Sequence, residues 1–149
     1  MPALRSFGAA PPPGVDCRPR RGAYAVILDT AGHVAAVDED GRFYLPGGGS
    51  LDHESPQETL AREVAEELGR LVDDVRPLAE AEQYFHSHND RVWYRMHATL
   101  FTARLVGEPF APREFETEWL PPRRASKPFF YECHEWAVVL ATEGGVPDA

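Results

Sequence analysis

Apolar and polar positions along this chain follow two different periods, and the switch between them marks its elements. From Ala23 to Leu28 the run AYAVIL is continuously apolar, which predicts a strand buried on both faces. Asp29 to Gly32 signals a turn, and Val34 to Val37 returns as a second strand. A further turn over Asp38 to Gly41, with Asp40-Gly41 favouring a tight one, leads into a third short strand at Phe43 to Leu45, which delivers the chain into a glycine-rich turn, Gly47-Gly48-Gly49. Val75 to His86 begins a longer extended segment. Here Ala79, Ala81, Gln83 and Phe85 alternate with Glu80, Glu82, Tyr84 and His86. Ser87-His88-Asn89-Asp90 reads as a hairpin tip. Val92 to Phe101 then alternates again. Val92, Tyr94, Met96, Ala98 and Leu100 share one face, and Trp93, Arg95, His97, Thr99 and Phe101 share the other. Glu114 to Leu120 predicts a last short strand, stopped by Pro121-Pro122.

Two stretches take the helical period instead. Ser55 is a good N-cap with Glu58 three residues on, Pro56 suits the first helical position, and Gly69 is placed to end the helix in a left-handed conformation. Leu60, Val64 and Leu68, with Ala61 and Ala65, form its apolar stripe. The second helix is predicted from Phe129 to Thr142, with Phe129, Cys133, Trp136, Ala137 and Leu140 facing inward. The order of strands and helices is that of a mixed α/β protein. One domain over residues 19–144 is expected. Residues 1–18, with Pro11-Pro12-Pro13-Gly14 and little periodicity, read as a mobile tail or extended arm, and residues 145–149 as a frayed end.

Composition narrows the function more than the fold. With 149 residues, 43% of them hydrophobic and 26% charged, the chain suits one soluble domain with a proper core. A net charge of −9 argues against binding a nucleic-acid polymer, which needs a basic face. It leaves open a small phosphorylated substrate that arrives with metal ions. No apolar run approaches the ~20 residues of a membrane span, and no secretory signal opens the chain, so a cytoplasmic location without membrane contact is expected. Cys17 and Cys133 are read as two reduced thiols, and the cysteines and histidines show no zinc-finger spacing. The basic group Arg18, Arg20 and Arg21 reads as charge at a strand entrance or as a contact for substrate phosphates.

The first helix carries the chemistry. Glu63, Glu66 and Glu67 stand at i, i+3 and i+4 and share one face. Like charges at this spacing repel by roughly 0.2–0.5 kcal/mol per pair, and a divalent cation reverses that sign. Hard oxygen ligands on a rigid element suit Mg²⁺ or Mn²⁺, whereas an isolated acidic face is ordinarily just solvated. The surrounding residues decide between these. From Gly48 the chain reads Gly, five residues, Glu54, seven residues, then Arg62-Glu63-Val64-Ala65-Glu66-Glu67-Leu68-Gly69. This resembles the Nudix box, G-x5-E-x7-R-E-U-x-E-E-x-G-U with U aliphatic. Arg70 at the final U is the one departure, and Leu71 follows it. The phrase Phe43-Tyr44-Leu45-Pro46-Gly47-Gly48-Gly49, Glu116 with Trp119, and His134-Glu135-Trp136-Ala137-Val138 resemble small bacterial Nudix proteins.

That resemblance implies a Nudix-like α/β/α sandwich, with a mixed sheet between helices. It implies Mg²⁺-dependent (or Mn²⁺-dependent) hydrolysis of a pyrophosphate bond in a nucleoside diphosphate-linked small molecule, by water attack at phosphorus. A nucleoside triphosphate, ordinary, oxidised or otherwise noncanonical, is the leading class. Dinucleoside polyphosphates, nucleotide sugars, or a non-catalytic nucleotide-binding module are the alternatives. Carried over by position, Glu63, Glu66 and Glu67 are the metal ligands, with the carbonyl of Gly47 beside them. Arg62 and Glu54 are the pair that ties helix to loop, and Glu63 is a candidate to orient or deprotonate the attacking water. A further ligand is expected at Glu116, with Glu114 second. Arg95, Tyr84 and His86 are the substrate-binding candidates, and His88, Phe85, Trp93 and Tyr94 are additional residues able to contact phosphate or base.

Overall fold

The computed structural model describes residues 4–121 and 129–142. The predicted end at residues 145–149 lies outside these. The element order is β1 (Arg5–Phe7), β2 (Cys17–Ile27), β3 (Val34–Glu39), β4 (Arg42–Tyr44), β5 (Gly47–Gly49), α1 (Pro56–Leu68), β6 (Leu71–His86), β7 (Trp93–Val106), β8 (Glu118–Leu120) and α2 (Glu132–Thr142). A five-stranded mixed sheet runs β1-β6-β7-β2-β5, and a smaller antiparallel sheet runs β4-β3-β8. Among the described residues no helix is long and apolar enough to cross a membrane.

Strict alternation along β2 puts a helix on each face of the large sheet. Ala23, Ala25 and Ile27 pack with Leu60, Val64 and Leu68 of α1. Tyr24 and Val26 point the other way and pack with Cys133, Ala137 and Val138 of α2. The α/β/α sandwich is therefore the observed architecture. On β7 the face with Met96, Ala98 and Leu100 goes under α2, while Phe101 goes under α1. Helix α1 has the predicted bounds. Ser55 Oγ accepts from the Glu58 N–H at 3.2 Å, the Glu58 carboxylate accepts from the Ser55 N–H at 2.8 Å, and Gly69 closes the helix at φ 60°. Cys17 and Cys133 are both free thiols.

Four expectations need correction, and each failed because a tertiary contact set the local conformation. The described part of residues 1–18 is an extended arm held on the sheet rather than a mobile tail. Arg5–Phe7 pairs in parallel with Ala81–Gln83, β2 already begins at Cys17, and Phe7 packs on Trp136 with ring centroids 5.4 Å apart. The triple glycine is not a turn but strand β5, antiparallel to Gly22–Tyr24 of β2. The strand predicted from Glu114 exists only over Glu118–Leu120. The preceding backbone instead satisfies the open carbonyls at the end of α1, with Glu114 N–H donating to Glu66 and Phe115 N–H to Glu67. The second helix starts at Glu132, because the Phe130 N–H donates to the Phe43 carbonyl at 2.8 Å and pairs that aromatic segment with β4.

His134 of α2 locks this corner from inside. It is fully buried, its Nδ1 accepts from the Leu45 N–H at 3.0 Å, and its ring sits 4.4 Å from that of Tyr24. Burial lowers its pKa to about 3, so the imidazole is neutral. Leu45 lies two residues before β5, so this bond steers the chain into the glycine strand.

Candidate active site

The strand β5 and the helix α1 face each other across a narrow gap, and glycine makes the gap possible. A Cβ at Gly47 would strike the Ala23 carbonyl and lie 2.7 Å from the Tyr24 Cα; one at Gly48 would lie 2.5 Å from the Glu63 Cδ. The gap opens into a cleft of about 300 Å³. Its floor is Gly47, Gly48, Gly49, Glu63 and Glu67, and its far wall is Tyr44, Phe85, Phe130 and Tyr131.

Arg62 organises the helix side. Its guanidinium donates through Nε to Glu54 at 2.6 Å, through Nη2 to Glu54 at 3.0 Å and to the Gly49 carbonyl at 2.9 Å, and through Nη1 to Glu66 at 3.1 Å. The two-point grip on Glu54 fixes both side chains in one plane. Glu54 also accepts from the Leu51 N–H at 2.8 Å. Arg62 and these bonds lower its pKa to about 2, and the same pairing raises the pKa of Arg62. Loop, strand and helix are thus tied through one guanidinium.

Glu63 and Glu67 are left facing the cleft without an equal partner. Burial, reinforced by Glu66 and Glu114 against the opposing effect of Arg62, raises Glu63 to about 7. Burial raises Glu67 to about 9, opposed by the Gly47 N–H and reinforced by Glu63, Glu114 and Glu39. Two carboxyl groups whose charged forms are disfavoured by burial and by each other, beside a glycine cradle, are what a divalent cation would relieve, so the donor set fits Mg²⁺ or Mn²⁺. Among the described residues, no three acidic, histidine or cysteine side chains already converge as a finished metal cluster. The reason is visible at Glu66, which is half exposed and turned to Arg62.

The remaining candidates divide clearly. Glu116 is exposed and pairs with Arg113 at 2.8 Å, outside the cleft. Glu114, the second candidate, is the one whose charge reaches Glu63 and Glu67. His86 and His88 line the cleft mouth, and Phe85 lines its wall, stacked on Tyr94 at 5.3 Å. Tyr84 lies on the opposite side of β6 with its hydroxyl on Glu82, and Arg95 lines a separate neighbouring cleft. Sequence reasoning missed Tyr44, Phe130, Tyr131, Arg42 and Glu39, all of which line the cleft. The signal for two of them was the aromatic triplet Phe129-Phe130-Tyr131, which was absorbed into a predicted helix.

A family model of the NUDIX domain matches residues 18–138. The chain belongs to the Nudix family. It is a pyrophosphohydrolase of that family, whose members generally use divalent metals such as Mg²⁺. The fold is similar to a MutT NUDIX hydrolase from Burkholderia pseudomallei, at 22% identity over 81% of this chain and 96% of that one, with a TM-score of 0.65. It is also similar to an ADP-ribose pyrophosphatase from Streptococcus suis 89-1591, at 21% identity over 87% and 96%, with a TM-score of 0.62. A UDP-X diphosphatase matches at 18% identity over 91% of this chain and 69% of that one, with a TM-score of 0.61. No curated protein matches the sequence. Two of these similar proteins carry different substrate names, ADP-ribose and UDP-X, on one scaffold.

Proposed function

We propose that this enzyme hydrolyses the pyrophosphate bond of a nucleoside triphosphate, ordinary or oxidised, by water attack at phosphorus. The observation that carries the reading is the pairing of Glu63 and Glu67, both raised in pKa, with a glycine strand against which a phosphate chain can lie. Glu67, Glu63 and Glu66, with the Gly47 carbonyl, would hold Mg²⁺ or Mn²⁺; Glu114 takes the supporting place first assigned to Glu116. The cation, when bound, supplies neutralisation of the phosphate oxygens and of the charge that develops during transfer. Arg62 and Glu54 keep the helix carboxylates aimed at the cleft. Glu63, at about 7, suits taking the proton of the attacking water. The aromatic wall of Tyr44, Phe85, Phe130 and Tyr131 offers ring faces to a nucleobase, and His86 and His88 offer polar contacts at the mouth. The site belongs to the cytoplasm in this reading, where Mg²⁺ and nucleotides meet.

A panel of nucleoside triphosphates, dinucleoside polyphosphates, ADP-ribose and nucleotide sugars, assayed with Mg²⁺ and Mn²⁺, tests this. Cleavage of triphosphates to monophosphate is the expected result. Preferential cleavage of a sugar nucleotide would overturn the substrate class, and tight binding without product would overturn the reaction.

A further inference from the structure

The hairpin of β3 and β4 carries a pair of opposite charges that does not close on itself. Its turn is Asp40-Gly41, with both residues in the left-handed region at φ 53° and 84°, so Glu39 and Arg42 stand directly opposite each other. Val37 and Tyr44 are the next opposite pair on the same face, and all four residues line the catalytic cleft. Unlike charges placed opposite across strands ordinarily pair. Here, among the described residues, Glu39 holds no hydrogen bond and no ion pair. Arg42 is drawn elsewhere. Its Nη2 donates to His88 Nε2 at 2.8 Å, at the tip between β6 and β7, and its guanidinium lies over the Phe130 ring at 4.7 Å.

The two charges therefore flank the aromatic wall. The charge of Glu39 bears on Tyr44, Tyr131 and Glu67, toward the carboxylates, while that of Arg42 bears on Tyr44 from the side of Phe130. Between them stands the Tyr44 ring, 5.7 Å from Phe130 and 5.3 Å from Tyr131. The rings can hold any base, so the choice among bases falls to the charges. A carboxylate only accepts and a guanidinium only donates. On its pairing edge guanine sets two adjacent N–H donors beside one carbonyl oxygen, which suits a carboxylate next to a guanidinium. Adenine, cytosine and uracil each offer that carboxylate a single donor group.

We infer that Glu39 and Arg42 are specificity-determining residues that select a guanine base, the carboxylate accepting from its ring N–H and 2-amino group and the guanidinium donating to its 6-carbonyl oxygen. The inference rests on the nucleoside triphosphate reading above and adds to it the base and the residues that choose it. His88 and Phe130 hold the guanidinium on its side of the wall, which keeps the cross-strand ion pair open for the base. This accounts for a carboxylate and a guanidinium that face each other across a tight hairpin and do not meet.

Steady-state hydrolysis of GTP, ITP and ATP with Mg²⁺ tests the two contacts separately, because ITP keeps the 6-carbonyl and ring N–H of guanine but lacks its 2-amino group. In kcat/KM, wild type should favour GTP over ITP by about tenfold, and ITP over ATP by a similar factor. Glu39→Ala should bring GTP to within about twofold of ITP, and Arg42→Met should bring ITP to within about twofold of ATP while GTP keeps its lead over ITP. A wild type that cleaves all three alike overturns the proposal. So does a Glu39→Ala variant that loses activity on all three in proportion, since that would place Glu39 with the metal-binding carboxylates. Glu39 is exposed, so its variant keeps the fold and decides the matter alone if Arg42→Met does not fold. If no triphosphate is cleaved, the catalytic reading falls and titration calorimetry of GDP, IDP and ADP with Mg²⁺ decides the base site. Guanine-selective binding that Glu39→Ala abolishes would uphold it, and equal binding of the three would overturn it.

Discussion

The backbone N–H of Gly47 donates to the Glu67 carboxylate at 3.1 Å, joining the glycine strand to the last turn of the acidic helix. This bond holds a largely buried carboxylate at the one edge of the cleft where backbone and side-chain oxygens can act together. With its pKa raised to about 9, Glu67 is protonated in the metal-free protein at neutral pH. Glu67→Gln therefore has nearly the same shape and charge as the resting enzyme. Its melting temperature without metal should match wild type, while Mg²⁺ should raise the melting temperature of wild type alone. Activity should fall by more than the roughly 10–100-fold typical of residues that support metal ligands. Thermal melts with and without Mg²⁺, beside a turnover assay, check this. Full activity in the variant would remove Glu67 from the site.

Gly47 and Gly48 are predicted to fail differently. A Cβ at Gly48 meets the end of the Glu63 side chain, which can swing aside. Gly48→Ala should fold with a melting temperature within a few degrees of wild type, yet lose about 10–100-fold in activity as Glu63 is displaced. A Cβ at Gly47 meets backbone that cannot move, at a φ of 140° that suits glycine. Gly47→Ala should cost at least about 2 kcal/mol of stability by urea denaturation. Equal behaviour of the two variants would contradict the geometry.

Arg62→Lys keeps the charge and loses the fork. Lysine reaches Glu54 or Gly49 but cannot grip both Glu54 oxygens and the Gly49 carbonyl together. Activity should fall about 10–100-fold. Because Glu54 acts through this pair, the double variant with Glu54→Gln should be little worse than either single one. Additive losses in kcat would show that the two residues act separately.

The box helix was legible in the sequence because its information is local. Ser55, Pro56, Glu58 and Gly69 state where it begins and ends, and the observed helix obeys them. The paired faces of β7 were legible for the same reason, since side-chain alternation is a property of the strand itself. What stayed hidden depends on contacts distant in sequence. Nothing in Gly47-Gly48-Gly49 announces a strand; its pairing with β2 and the approach of Glu63 require one. Phe130 and Tyr131 look helical in isolation, and only the Phe43 carbonyl draws them out to line the cleft. Three carboxylates on one helix face were readable, but that Glu66 would turn to Arg62 while Glu63 and Glu67 faced inward was not.

His134 should govern the acid limb of stability. Its pKa is about 3 in the fold against 6.5 for the ordinary side chain, so below pH 6.5 the unfolded chain binds a proton that the folded chain refuses. Stability from this residue is complete above pH 6.5 and is lost as pH falls, at up to about 1.4 kcal/mol per pH unit. Glu63 and Glu67 act in the opposite direction in the metal-free protein, because raised carboxylate pKa values favour the fold as pH drops. The two effects separate by comparison with His134→Asn, which retains an acceptor for the Leu45 N–H but cannot titrate. The variant should be less stable than wild type at pH 7 through lost packing. Between pH 7 and pH 5 the gap should narrow by about 2 kcal/mol, since the carboxylates contribute equally to both proteins. Urea denaturation at several pH values measures it. A gap that stays constant across that range would mean that His134 is not held neutral by burial.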